Sequence, residues 1–125
     1  MKLRLTGHAV RLRMRRSEVE KLAAGSSIAE TVVFPGGATL TFRVSGAAVG
    51  EPAVAFSGSV VDVVVPRETA VSWPDSQQVG IYGKQQSLEI LVEKDFRRTS
   101  LPSPDDDDRY PNPRAHAREA SGPHS

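Results

Sequence analysis

Arginine recurs at every second position of the segment VRLRMRR, residues 10–16. In a strand, this alternation places Arg11, Arg13 and Arg15 on one face and the apolar residues on the other. Guanidinium groups on an exposed face can bind the phosphates of a nucleic acid. Nearby cations extend the predicted nucleic-acid-binding set, which is Arg11, Arg13, Arg15, Arg16, Lys2 and Arg4. The alternatives are a solvated sheet face and a face that binds acidic protein segments.

The charge distribution limits this hypothesis. The net charge is +1, with an excess of five positive charges in residues 1–50 and of four negative charges in residues 51–125. Domains that bind nucleic acids are usually more strongly basic. DNA or RNA and an acidic protein segment therefore both stay open as partners.

Residues 97–125 are rich in Pro, Asp, Arg and Ser and contain few apolar side chains. Such a segment cannot offset its ordering entropy, so we predict a disordered tail. We also hypothesise that its acidic run folds back on the arginine face as an autoinhibitory competitor. The run comprises Asp105, Asp106, Asp107 and Asp108. In the segment YPNP, Tyr110 is a candidate docking anchor, and a simple turn is the alternative.

Enzymatic chemistry finds little support in the sequence. There is no phosphate-binding loop, dinucleotide fingerprint, nucleophile elbow or HExxH motif, and there is no cysteine. We predict no cofactor, no metal and no catalytic residues, and we rank an uncharacterised enzyme third among the possible functions.

Apolar periodicity predicts strands, short helices and tight turns. Ser17 and Glu20 fit the capping box that starts a helix, and Pro66 suits the first position of a second helix. The predicted strands are 2–6, 9–14, 28–34, 38–44, 53–57, 60–65, 78–83 and 88–96.

The same order of elements occurs twice. A constant shift along the chain places Leu3 on Val54, Val10 on Val61 and Ile28 on Val79. We therefore predict two β-β-α-β-β half-units, residues 1–46 and 53–96, in one globular domain of residues 1–96. The predicted fold class is α+β and β-rich, with the half-units closed into a small barrel that leaves few exposed strand edges.

The segment "SVVDVVVPRETAVSW" followed by "QQVGIYG" and "SLEILVEK" resembles the AbrB/MazE-type swapped-hairpin domain. Val65, Pro66, Arg67 and Glu68 match its signature at the start of the helix. The resemblance implies a barrel of interleaved hairpins, formed here within one chain as a pseudo-dimer, and DNA binding through basic residues. The first half departs from the signature, because Arg15 stands at the position that corresponds to the proline.

The whole chain also resembles a small uncharacterised bacterial family, a domain of unknown function. The shared segments are "MKLRL", "SEVEKL", "VVVPRE", "LVEKDF" and "YPNP". This resemblance implies no activity.

Together these features predict a small, non-enzymatic binding module. Its most concrete form is an AbrB-like nucleic-acid-binding or regulatory protein that uses the basic strand face. The alternative is a protein–protein adaptor that uses the same face or the YPNP segment. We expect a soluble, cytoplasmic monomer or weak homodimer without membrane association, because no signal-peptide-like segment and no long apolar run occurs.

Overall fold

A computed structural model describes residues 1–96, Asp108 and Tyr110. In this part of the chain, eight strands, two α-helices and one 3₁₀ turn follow the predicted order. The strands are β1 (Lys2–Leu5), β2 (Ala9–Met14), β3 (Ile28–Val33), β4 (Thr39–Ala47), β5 (Ala53–Ser57), β6 (Val60–Pro66), β7 (Gly80–Gln85) and β8 (Leu88–Lys94). The helices are α1 (Arg16–Ala23) and α2 (Arg67–Ser72), and the 3₁₀ turn is Trp73–Asp75.

The strands form two four-stranded sheets. Sheet A has the order β1-β2-β8-β7, and sheet B has the order β3-β4-β6-β5. Within each sheet, two antiparallel hairpins meet at a central parallel pair, β2 with β8 and β4 with β6. Each sheet therefore combines one hairpin from the first half of the chain with one hairpin from the second half.

One hydrophobic core lies between the inner faces of the two sheets and the helices. The alternation of the sequence explains it, because Leu12 and Met14 of β2 and Val63 of β6 are fully buried while their strand neighbours face outward. Trp73 is also fully buried, and its indole nitrogen donates to the carbonyl of Gln78 at 2.9 Å. The prediction of a β-rich α+β fold is confirmed.

Helix α1 begins differently from the prediction. Its N-cap is Arg15, and the carboxylate of Glu18 accepts a hydrogen bond from the Arg15 backbone N–H at 2.8 Å. The predicted capping box of Ser17 and Glu20 is therefore wrong. The helix starts directly where β2 ends, which places Ser17 inside the first turn and leaves its hydroxyl free to contact another part of the chain.

The two halves correspond closely in their first hairpins and less closely afterwards. Leu3 pairs with Leu12 as Val54 pairs with Val63, so the predicted shift is correct there. In the second hairpins, Ile28 pairs with Val44 and Ile81 pairs with Val92. Val44 in turn pairs with Val63, and Val92 pairs with Leu12, the residue that corresponds to Val63. Ile28 therefore corresponds to Ile81, and the predicted match with Val79 is wrong. The 3₁₀ turn Trp73–Asp75 lengthens the connection in the second half and displaces the register.

Within the described residues, no helix combines the length and the apolar character that a membrane span requires.

Candidate nucleic-acid interface

The outer face of sheet A carries a group of four cations on two neighbouring strands. Its members, which we call the basic stripe, are Lys2 and Arg4 of β1 and Arg11 and Arg13 of β2. The alternate positions of these strands carry apolar side chains, most of which belong to the core, so strand alternation directs all four cations to the other face. Lys2, Arg4 and Arg13 are exposed, and Arg11 is half-buried.

The strand register places like charges directly opposite each other. Arg4 is the cross-strand partner of Arg11, and Lys2 is the partner of Arg13. Such pairs destabilise a hairpin, since their Cβ atoms lie roughly 5 Å apart. Within the part of the chain that the structure describes, Arg4 and Arg13 form no ion pair, in contrast to Lys2 and Arg11.

The other two cations of the basic stripe have acidic neighbours. The Nε atom of Arg11 lies 3.0 Å from a carboxylate oxygen of Glu93, and Nζ of Lys2 lies 3.3 Å from a carboxylate oxygen of Asp95. Both acids belong to β8 or follow it directly. They reduce the charge of the face and hold the Arg11 side chain against the sheet.

Tyr82 of β7 extends this network. Its hydroxyl donates to Glu93 at 2.9 Å. Burial, together with this hydrogen bond and the charge of Glu93, raises the pKa of Tyr82 to about 12. The phenol is therefore a neutral donor at physiological pH, and its half-exposed ring forms the border of the face.

Two open depressions cross the basic stripe, and Arg4 and Arg11 line both of them. The first has a volume of about 210 Å³ and reaches from Arg4 to Leu91 and Glu89. The second has a volume of about 310 Å³ and is lined by all four cations and Leu3. Both depressions are open, and each has at least two arginines in its wall.

Arg15 and Arg16 do not join the other four predicted residues. The strand ends at Met14, so Arg15 caps helix α1 and Arg16 is its first residue. Nε of Arg15 lies 3.8 Å from Glu18 and 3.4 Å from Asp108. The guanidinium of Arg16 lies 5.4 Å from the ring centroid of Tyr110. The predicted set therefore divides into the basic stripe and a separate pair at the start of α1.

Of the predicted site residues in the tail, the structure describes Asp108 and Tyr110. Asp105, Asp106 and Asp107 lie outside the described residues, so autoinhibition stays a prediction for them. Asp108 lies beside Arg15 and accepts hydrogen bonds from Ser17. Tyr110, the predicted docking anchor, is buried against its own chain with 8% of its surface exposed.

The outer face of sheet B provides a comparison within the same molecule. At the positions that correspond to the basic stripe it carries Ala53, Ala55, Asp62 and Val64. The guanidinium of Arg43 donates two hydrogen bonds to the carboxylate of Asp62, at 3.3 and 2.8 Å. This interaction raises the pKa of Arg43. The excess of unpaired cations is therefore a property of sheet A and not of the fold.

Two participants were missed in the sequence. The predicted site residues include neither Glu93 nor Tyr82. No local signal could have identified them, because their role depends on the parallel pairing of β2 with β8 across most of the chain. Within the described residues, no group of three or more His, Asp or Glu side chains is arranged to hold a metal ion.

Fold and site define a two-sheet α+β protein with one basic sheet face. The sequence matches a family of unknown function, DUF7009, over residues 1–114, and the chain belongs to this family. This confirms the prediction of an uncharacterised family. No curated protein and no solved structure matches the chain.

Proposed function

We propose that this protein is a non-enzymatic binding module that contacts nucleic acid through the basic stripe. The observation that carries the proposal is the pair of like-charge cross-strand contacts, Arg4 with Arg11 and Lys2 with Arg13. Sheet B has the same strand arrangement without such contacts. A charge arrangement that weakens a hairpin and that the fold does not require is best explained by a ligand of opposite charge.

The topology supports the finer proposal of an AbrB-like pseudo-dimer. Each sheet joins a hairpin from one half to a hairpin from the other half, which is the relation expected of two interleaved copies. A homodimer of that type would present two equivalent basic faces. The described residues of this chain form one such face, so the proposed complex has one nucleic-acid contact surface for each chain and no requirement for a palindromic site.

A protein–protein adaptor is the second candidate function. It is favoured by Glu93 and Asp95, which offset part of the charge of the basic stripe. It is also favoured by the contact of Asp108 with Arg15, which brings a carboxylate of the chain itself to an arginine. Under this candidate, the basic stripe binds an acidic protein segment instead of a phosphate backbone.

Binding measured by fluorescence anisotropy separates the two candidates. The probes are a short labelled DNA duplex, a single strand of the same sequence and a labelled polyglutamate peptide. The variants are Arg4→Ala and Arg13→Ala, and Arg67→Ala is the matched control because Arg67 is an exposed arginine of α2, outside sheet A.

For nucleic-acid binding, we expect both stripe variants to weaken the DNA complexes while Arg67→Ala binds like the wild type. Preferential binding of polyglutamate would support the adaptor. Wild-type protein that binds none of the probes would contradict both candidates.

A further inference from the structure

Asp108 and Tyr110 occupy a cleft between the start of helix α1 and the end of strand β8. We call it the anchor cleft and define it by Arg15, Arg16 and Ser17 on one side and Lys94, Asp95 and Phe96 on the other. Residues 97–107 separate the two occupants from Phe96 along the chain. Neither Asp108 nor Tyr110 belongs to a strand of the two sheets.

The carboxylate of Asp108 has three partners in the anchor cleft. The backbone N–H of Ser17 donates to one oxygen at 3.0 Å, and the Ser17 hydroxyl donates to the other at 2.8 Å. Nε of Arg15 lies 3.4 Å away. The two donors of Ser17 each bind one carboxylate oxygen, so this end of the cleft selects a planar carboxylate in a defined orientation.

The ring of Tyr110 contacts one aromatic ring and two cationic side chains. The ring centroid lies 5.8 Å from that of Phe96, with the two planes at 61°. Nζ of Lys94 lies 4.9 Å from the centroid, and the guanidinium of Arg16 lies 5.4 Å from it. The phenolic oxygen is buried and has no hydrogen-bond partner among the described residues. The cleft therefore recognises an aromatic ring between cations and not a hydroxyl group.

The backbone of the occupant is bound as well. The N–H of Tyr110 donates to the carbonyl of Asp95 at 2.8 Å, and Tyr110 forms a parallel β-bridge with Phe96. This bridge lies outside the named strands, just beyond the end of β8. One main-chain hydrogen bond and two alternate side chains, Asp108 and Tyr110, therefore hold the occupant in the cleft.

We propose that the anchor cleft is a peptide-recognition site for a partner segment that carries Asp two residues before an aromatic residue. The chain's own Asp108 and Tyr110 are its resident occupant. Because they belong to the same chain, they compete intramolecularly with any partner segment. A partner peptide therefore binds when it is held nearby or when the resident segment has been released. The site lies outside the basic stripe, so this proposal is independent of nucleic-acid binding.

The test uses the full chain with a specific protease site placed within residues 97–107. The chain folds intact and is then cut, which converts the resident segment into a separate peptide. A labelled peptide with the sequence of residues 105–113, DDDDRYPNP, is added, and its exchange into the cut protein is followed by anisotropy. A scrambled peptide of the same composition controls for attraction between charges alone.

We expect one labelled peptide to bind per cut protein, while the uncut protein binds it at least about tenfold more weakly because the tethered segment competes. In the labelled peptide, replacing the aspartate that corresponds to Asp108 by Asn should weaken binding about tenfold. Replacing the tyrosine of the peptide by Ala should abolish binding. Phe in place of the tyrosine should bind as the native peptide does. In the cut protein, Ser17→Ala should weaken the native peptide and leave the Asn peptide unchanged.

Equal binding of the scrambled and native peptides would overturn the proposal. Loss of peptide binding in Arg13→Ala would also overturn it, because the acidic run would then bind the basic stripe. A third outcome is a dimer of the uncut protein that the added peptide dissociates. That result would show that the anchor cleft binds the segment of a second copy, and it would overturn the proposal of a partner peptide.

Discussion

Arg4 lies directly across from Arg11 in the β1–β2 hairpin, and the two guanidinium groups share the outer face of sheet A. Glu93 neutralises Arg11 at 3.0 Å, whereas Arg4 has no ion pair within the described residues. At the scale of single residues, the fold would therefore accept an acidic or neutral residue at position 4 more readily than a second cation. A residue that lowers the stability of the fold at its position is expected where binding determines the residue type.

Replacement of Arg4 tests this conflict. In Arg4→Glu, a like-charge cross-strand pair becomes an opposite-charge pair, so we expect the free energy of unfolding to rise by about 0.2 to 1 kcal/mol at low salt. The same substitution should remove most of the affinity for DNA. Chemical denaturation and anisotropy measure the two effects. A variant that is less stable and binds normally would show that Arg4 serves the fold.

At the scale of the secondary-structure element, Glu18 stabilises the start of helix α1. Its carboxylate accepts from the backbone N–H of Arg15 at 2.8 Å and lies 2.8 Å from the N-terminal ammonium of Met1. We expect Glu18→Ala to lower the free energy of unfolding by about 1 to 2 kcal/mol, because a cap and a buried ion pair are lost. Glu20→Ala is the control, since Glu20 is exposed on the same helix. Equal effects of the two substitutions in denaturant titrations would contradict the observed cap.

Asp108 adds a second, pH-dependent contact to the same helix end. Burial alone would raise the pKa of Asp108, but the hydrogen bonds from Ser17 and the charges of Arg15 and Arg16 outweigh it and lower the pKa. A carboxyl group with a lowered pKa in the folded state stabilises the fold above its unfolded pKa. That contribution disappears as the pH falls through the lower, folded value.

We therefore expect Asp108→Asn to be less stable than the wild type at neutral pH, by roughly 1 kcal/mol. The difference should persist down to about pH 4, near the ordinary carboxyl pKa, and vanish in stronger acid. Thermal unfolding across this pH range measures the difference. A gap that widens on acidification would contradict the contact between Asp108 and Ser17.

Most individual elements could be predicted from the sequence, because strand alternation and turn residues are local signals. All eight strands occur near their predicted positions, and β2 and β5 have the predicted bounds. The helix cap could not be predicted, because Ser17 and Glu20 fit the S-x-x-E capping pattern, whereas Arg15, the residue that occupies the cap, does not. The burial of Tyr110 also left no local signal, since its partners lie at both ends of the domain.

At the scale of the whole molecule, the two halves of the chain depend on each other. The central strands β2 and β4 of the first half pair with β8 and β6 of the second half. Without these partners, each half retains two separate hairpins with uncovered apolar faces, which are marginally stable in water. The duplicated pattern was visible in the sequence, but the exchange of hairpins between sheets depends on pairings between distant residues.

Division of the chain between Gly50 and Glu51, both exposed, tests this dependence. We expect neither fragment alone to unfold cooperatively, and we expect an equimolar mixture to recover the circular dichroism and the cooperative transition of the intact chain. A fragment that folds by itself would contradict the interdependence of the halves.

The salt dependence of DNA binding tests the central proposal most directly. If Arg4 and Arg13 each neutralise one phosphate, the double variant Arg4→Ala/Arg13→Ala should reduce the slope of log K against log salt concentration by about 2, and Arg67→Ala should leave the slope unchanged. Wild-type binding without salt dependence, or a slope that the double variant leaves unaltered, would contradict a nucleic-acid interface on the basic stripe.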